Sequence, residues 1–242
     1  MQSDAWSAYH LGTRLPRLGG GRVPRPVAVW LTVPQGSHHA AEAWLSTDET
    51  DRLAAMQHPR ARSEFLTGRW LVRGLVGALL DLHPREVPLR VEPHGALSVD
   101  GHPTLGINLS HTAGLVAVAL ARDHQVGVDV EWTDRPGRTV ELAHRWFAPT
   151  ELAALLALPD GLPRRQRFFE LWTLKEGYIK ARGLGLRVPL GSFAFDLEGA
   201  GIRLHTSLEA GDDPVRTGDW RAATVRVGPA HRLGLVWRPA GP

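Results

Sequence analysis

The chain has 242 residues, 43% of them hydrophobic, and no cysteine; this length fits one large domain or two small ones packed together, and excludes a disulfide framework, a thiolate nucleophile and Cys-ligated zinc. The formal charge of +3 is accounted for by Asp4 set against Arg14, Arg17, Arg22 and Arg25, so the remaining chain is neutral and lacks the broad basic face of a nucleic-acid binder. No apolar run approaches the roughly 20 residues that cross a bilayer, and the N-terminus lacks a signal-like apolar segment; the expectation is a soluble cytoplasmic protein that binds neither nucleic acid nor membrane.

In chain order, residues 1–25 read as a basic Gly/Pro-rich tail, flexible by composition. A first half, 26–123, opens with the apolar strand Val27–Leu31. Ser46 and Glu49 then form a capping-box pattern at a helix start, and a long helix is expected over roughly 60–82. Short strands follow at Leu89–Glu92, Ala96–Val99 and Leu115–Ala121, with Ile107–Gly114 ending a strand in small polar groups. The turn Asp123-His124-Gln125 reads as a hairpin into the strand Val126–Glu131, where a second half, 124–242, begins. Pro149 suits the first turn of a helix. A second long helix is expected over roughly 164–182, stopped by Gly183, and the rest is β-rich: Ser192–Leu197, Gly201–His205, Trp220–Val227 and Leu233–Trp237.

The halves share a frame. Trp44-Leu45-Ser46-Thr47-Asp48-Glu49 matches Trp146-Phe147-Ala148-Pro149-Thr150-Glu151, an apolar strand precedes each, and a long helix follows each. The offset stays near about 102 residues, the signature of an internal repeat. The fold class expected is α+β, built as two similar sheet-and-helix halves related by a pseudo-twofold.

Two segments carry candidate chemistry. In Val126-Gly127-Val128-Asp129-Val130-Glu131 the period of two puts the valines on one face and the acids on the other, about 7 Å apart. That is either the polar face of an ordinary strand or a pair of hard oxygen ligands suited to magnesium. The other segment is Leu171–Gly183, which holds the only two lysines of the chain, Lys175 and Lys180. Where arginine has taken nearly every cationic position, a surviving lysine marks a place that needs a compact ammonium. Glu176 and Lys180 project together as an i, i+4 pair, either as a surface ion pair or as part of a site. Gly177, unfavourable in mid-helix, points to close approach by a ligand or another backbone. Ser110 and His111 could meet a phosphate. Neither a G-x-S-x-G elbow nor a Walker loop is present.

Together, Gly-Val-Asp-Val-Glu at 127–131, Trp-Thr-Leu-Lys-Glu-Gly-Tyr-Ile-Lys-Ala-Arg-Gly-Leu-Gly-Leu at 172–186 and Asn-Leu-Ser-His at 108–111 resemble the 4'-phosphopantetheinyl transferase superfamily, in its two-halved, Sfp-like type. The helix from Arg62 to Arg73 is similar to that family's first-half helix. The resemblance implies Mg²⁺-dependent transfer of phosphopantetheine from coenzyme A to a serine of an apo acyl, peptidyl or aryl carrier protein, releasing 3',5'-ADP. It implies Asp129, Glu131 and Glu176 as metal ligands, with Lys180 at the phosphate under attack and Lys175 near the phosphates. Glu176, or a metal-bound water beside it, would be the general base. Ser110, His111 and Arg62 would hold the 3'-phosphate of coenzyme A. Where some relatives carry a lysine in a Gly-x-Pro turn, this chain has Gly101-His102-Pro103, so His102 is a candidate replacement contact. Arg164, Arg165 and Arg167 are candidates to meet an acidic carrier surface. A cleft formed between the halves would allow a monomer. The alternative is a non-catalytic relative that binds coenzyme A or carrier proteins.

Overall fold

A computed structural model of the chain describes residues 13–14, 27–34, 39–92, 95–183, 188–198, 201–206 and 219–240. The basic tail, apart from Thr13 and Arg14, and the closing Leu184-Gly185-Leu186 of the 172–186 motif lie outside the described residues. The fold is mixed α and β. A two-residue strand β1 (Thr13–Arg14) lies in the tail and pairs with β2; the first half contains β2 (Val27–Thr32), α1 (His39–Glu42), α2 (Thr47–Ala55) and α3 (Pro59–Leu80). These are followed by β3 (Leu89–Val91), β4 (Leu97–Val99), β5 (Leu105–Thr112) and β6 (Leu115–Arg122). The second contains β7 (His124–Trp132), α4 (Thr139–Trp146), α5 (Pro149–Leu156), α6 (Leu162–Arg182), β8 (Phe193–Asp196), β9 (Arg203–Thr206), β10 (Arg221–Val227) and β11 (His231–Pro239). No described helix is long and apolar enough to cross a membrane.

The caps read from the sequence are present. Ser46 Oγ accepts from Glu49 N while Glu49 returns a carboxylate oxygen to Ser46 N. In the second half Glu151 accepts from Ala148 N. Gly183 closes α6 in the left-handed region, φ 63°. The strand order is β1-β2-β6-β5 in one sheet and β10-β11-β7 in another, so β2, β6 and β5 correspond in order to β7, β11 and β10. The turn at Asp123 (φ 55°) is not the hairpin expected. β6 pairs with β2 and β5, whereas β7 pairs with β11, so the chain leaves one sheet at Asp123 and enters the other.

Three apolar cores result. Helix α3 covers one face of the first sheet through residues such as Leu71, Val72 and Val76. Helix α6 covers one face of the second through Leu174 and Tyr178. The remaining faces stack on each other, joining Val29, Leu31, Ala117 and Ala119 to Val128, Val130, Leu233 and Leu235. The strand alternation thus sends the β7 valines between the sheets and its acids towards α6. Helix α6 lies so close to β7 and β11 that a Cβ on Gly127 would sit 1.9 Å from Gly177 O, and one on Gly234 2.5 Å from Thr173 O. The close approach thus falls on Gly127 and Gly234, whereas a Cβ on Gly177 itself would meet nothing nearer than Gly127 O at 3.4 Å, an ordinary contact.

A buried ion pair recurs at the same place in each half. Glu49 receives Arg73 (2.7 Å) and Arg69 (2.9 Å), and Arg73 also donates to the carbonyls of Pro84 and Val87. About 102 positions on, Glu151 receives Lys175 at 2.5 Å, and Lys175 donates to Phe193 O at 2.6 Å.

Candidate active site

Strand β7 delivers Asp129 and Glu131 to the side facing α6, and α6 delivers Glu176 and Lys180 one turn apart to meet them. Lys180 Nζ lies 2.6 Å from Asp129 Oδ1 and also donates to Ser110 Oγ (3.0 Å) and Val128 O (3.3 Å). Ser110 donates its own proton to Asp129 Oδ1 at 2.9 Å. Glu131 accepts from Trp172 Nε1 at 3.1 Å on one oxygen and faces Arg135 at 3.3 Å on the other.

Glu176 and Lys180 line a cleft of about 310 Å³ between the halves, with Asp129 and Ser110 behind Lys180. Its second-half wall is Glu176, Ile179, Lys180 and Gly183. Its first-half wall is Arg52, Phe65, Arg69, Gly95–Leu97, Asn108, Leu109 and His111. Arg52 and Arg69 lie over the Phe65 ring, 5.4 and 4.8 Å from its centroid. The half-exposed His111 pairs through Nδ1 with Glu64 at 3.1 Å. Cations therefore outnumber the one lining carboxylate, Glu176, and a cleft so lined favours an anionic ligand.

The structure brings Asp129, Glu131, Glu176, Lys180, Ser110 and His111 together. It does not bring Lys175, Arg62 or His102. Lys175 has no exposed surface; its ammonium is enclosed by Glu151, Phe193 O and the rings of Phe147 and Phe193, and it does not line the cleft. Burial pulls its pKa down and Glu151 opposes this. Arg62 donates to the carbonyls of Leu53 and Met56, fastening the end of α2 to α3. His102 is exposed before β5 begins, whereas Ser110 and His111 lie near its other end, about 20 Å along the strand. The hairpin segment at the cleft is Gly95–Leu97 instead. The hydroxyl of Ser110 is committed to Asp129, so it has no proton to offer a 3'-phosphate. Arg164 binds the carbonyls of Leu156 and Leu158, Arg165 those of Thr133 and Arg135, and Arg167 pairs with Glu170; all three brace the start of α6. Sequence reasoning missed Arg52 altogether, and it read Phe65 and Arg69 as features of the 62–73 helix without assigning them to the site. In a helix, Phe65 and Arg69 are spaced i, i+4 and share a face, which was the available signal.

The carboxylates suit a hard divalent cation by donor chemistry. Asp129 Oδ2 is buried without a hydrogen-bond partner, an arrangement that a cation would relieve. As placed, no three described carboxylates or histidines converge into a ready-made cluster; Asp129 Oδ1 is paired with Lys180. Burial, then the charge of Asp129, raises Glu131 from 4.5 to about 7 and raises Glu176 as well. A raised folded pKa favours the protonated native state. The stability Glu131 confers is complete below about pH 4.5 and is lost as pH rises through about 7. In thermal melts of metal-free protein, the wild-type midpoint should therefore fall relative to that of Glu131→Gln across this window. A difference between the two that stays level, or shifts in favour of wild type as pH rises, would contradict the coupling.

The arrangement is a cleft with Arg52, Arg69 and Lys180 on its walls and one lining acid, Glu176, with Asp129 paired to Lys180 beside it. The model of the 4'-phosphopantetheinyl transferase superfamily matches residues 125–225. The chain is 35% identical to 4'-phosphopantetheinyl transferase HetI of Nostoc sp. over 64% of its length and 67% of that protein's. It is 30% identical to 4'-phosphopantetheinyl transferase Sfp of Bacillus subtilis over 80% of its length and 82% of that protein's. With the human L-aminoadipate-semialdehyde dehydrogenase-phosphopantetheinyl transferase it shares 29% identity over 81% of this chain and 61% of the relative. The chain belongs to the 4'-phosphopantetheinyl transferase superfamily, and it is a transferase.

Proposed function

We propose that the protein transfers 4'-phosphopantetheine from coenzyme A to a serine hydroxyl of an apo carrier protein and releases 3',5'-ADP. The observation that supports this reading best is the meeting of Asp129, Glu131, Glu176 and Lys180 at one end of a cleft whose other wall carries Arg52, Arg69 and His111. In this reading the serine oxygen forms a bond to the phosphorus that carries the pantetheine arm, and the bond from that phosphorus to the bridging pyrophosphate oxygen breaks. Glu176 takes the serine proton; its raised pKa makes it a better base than an exposed glutamate. Lys180 supplies a compact, rotatable charge to the leaving oxygen. Arg52, Arg69 and His111 hold the nucleotide end.

Asp129, Glu131 and Glu176 would hold Mg²⁺, which would neutralise charge on the pyrophosphate when bound. Because both walls belong to one chain, a monomer suffices. We read the halves, 26–123 and 124–242, as copies related by a pseudo-twofold, the first binding coenzyme A and the second carrying the transfer residues. The test is intact mass spectrometry of an apo carrier protein incubated with this protein, coenzyme A and magnesium. One added phosphopantetheine, absent when EDTA is included, is the expected result. No addition to any of several carrier proteins, from folded protein that binds coenzyme A, would overturn the reading.

A further inference from the structure

Strands β5 and β7 lie side by side, yet no described backbone ladder joins them: β5 pairs with β6, and β7 with β11. Side chains take the place of a ladder. Asn108 Oδ1 accepts from Val128 N at 2.9 Å, Ser110 Oγ from Val130 N at 3.3 Å and Thr112 Oγ1 from Trp132 N at 3.2 Å. The three donors alternate with the two acids of β7, so Asp129 is held between the first and second contacts and Glu131 between the second and third. Every second residue of β5 engages every second residue of β7 in ascending order, as the strand repeat of two requires of neighbours running in parallel.

The middle contact does more than hold backbone. The Ser110 hydroxyl gives its single proton to Asp129 Oδ1 and accepts from Val130 N and Lys180 Nζ. One donor and two lone pairs are its full capacity. Asn108 and Ser110 are themselves buried, so removing either oxygen leaves a backbone N–H without its partner.

We infer that Asn108, Ser110 and Thr112 are positioning residues that set the two β7 carboxylates from the other half of the molecule. Ser110 in addition orients Asp129 and Lys180 relative to each other. This rests on the transferase reading above in that Asp129, Glu131 and Lys180 are taken as the working groups. It assigns Ser110 to the acids, whereas a contact with the 3'-phosphate would assign it to the donor substrate.

The two assignments separate on paired donors, coenzyme A and 3'-dephospho-coenzyme A. Ser110→Ala should lower kcat by about 10- to 100-fold, the usual loss when a partner orienting a ligand residue is removed. The loss should be equal with both donors, with little change in KM for coenzyme A. The free Mn²⁺ signal in electron paramagnetic resonance titrations should show weaker ion binding by the variant. Amide exchange, which needs no turnover, should quicken selectively at Val130. Thr112→Val, close in shape and at the end of the seam, should quicken exchange at Trp132 and carries the test if Ser110→Ala does not fold. A loss that vanishes with 3'-dephospho-coenzyme A would overturn the assignment, as would unchanged exchange at these amides. If the wild-type protein transfers nothing, the transferase reading fails, while exchange and Mn²⁺ binding still decide the clamp.

Discussion

Glu176→Gln is expected to reduce kcat by about 10²- to 10⁴-fold, the range associated with loss of a positioned general base. The melting temperature should stay near that of the native protein. Glu176 is only partly buried and lines the cleft, so the amide replaces it without opening a void. Its pKa is raised first by burial and then by the charge of Asp129, with Lys180 opposing. A protonated Glu176 can neither accept the serine proton nor serve a cation. Activity should therefore fall on the acid side of the pH profile, where Glu176 and Glu131 bind protons. Measuring kcat and melting temperature together decides the matter. A variant that keeps more than about a tenth of wild-type kcat, where the loss of a positioned base should reach at least a hundredfold, would remove Glu176 from both roles.

Lys175→Met is expected to do the reverse, costing stability and sparing chemistry. It leaves Glu151 as an unmatched charge in the second-half core. Breaking a buried pair by removing one partner costs about 3–5 kcal/mol, which for a chain of this size lowers the melting temperature by roughly 6–20 °C. Turnover per folded molecule, measured well below the melting transition, should stay close to wild type. Replacing both partners with apolar groups, Lys175→Met with Glu151→Leu, removes the unmatched charge and should recover part of the loss. It should not recover all of it, because the N–H groups of Ala148 and Phe195 and the carbonyl of Phe193 lose their partners. A single variant that melts normally and loses turnover would return Lys175 to the reaction.

The placement of Lys175 shows where sequence reading reaches its limit. The helix cap at Ser46, the helix start at Pro149 and the alternation along β7 are local patterns, and local patterns were readable. Helical geometry also held a warning: at 3.6 residues per turn, residues five apart lie about 140° around the helix, and residues four apart about 40°. Lys180 and Glu176 can share a face; Lys175 and Lys180 cannot. The hairpin expected at Asp123 failed for another reason. A period of two describes a strand equally well whichever neighbour it pairs with, so the switch of sheet left no mark. Arg52 and Arg69 were hidden by number, because a chain that uses arginine almost everywhere gives no single arginine distinction. Arg62 was credited for its place in a motif, although carbonyls of the preceding turn take its guanidinium.

The scarcity of lysine has a practical side. Of the two ε-amino groups, one is sealed in the core and the other, 29% exposed, stands beside Asp129 in the cleft. Acylating dyes, biotin esters and amine-capturing surfaces react with unprotonated amines that they can reach. On this molecule the only such lysine is Lys180, so side-chain acylation is confined to the cleft and competes only with the α-amino group. In the proposed reaction, conjugation chemistry that is harmless on most proteins would act on the transfer site, and bound coenzyme A would protect it.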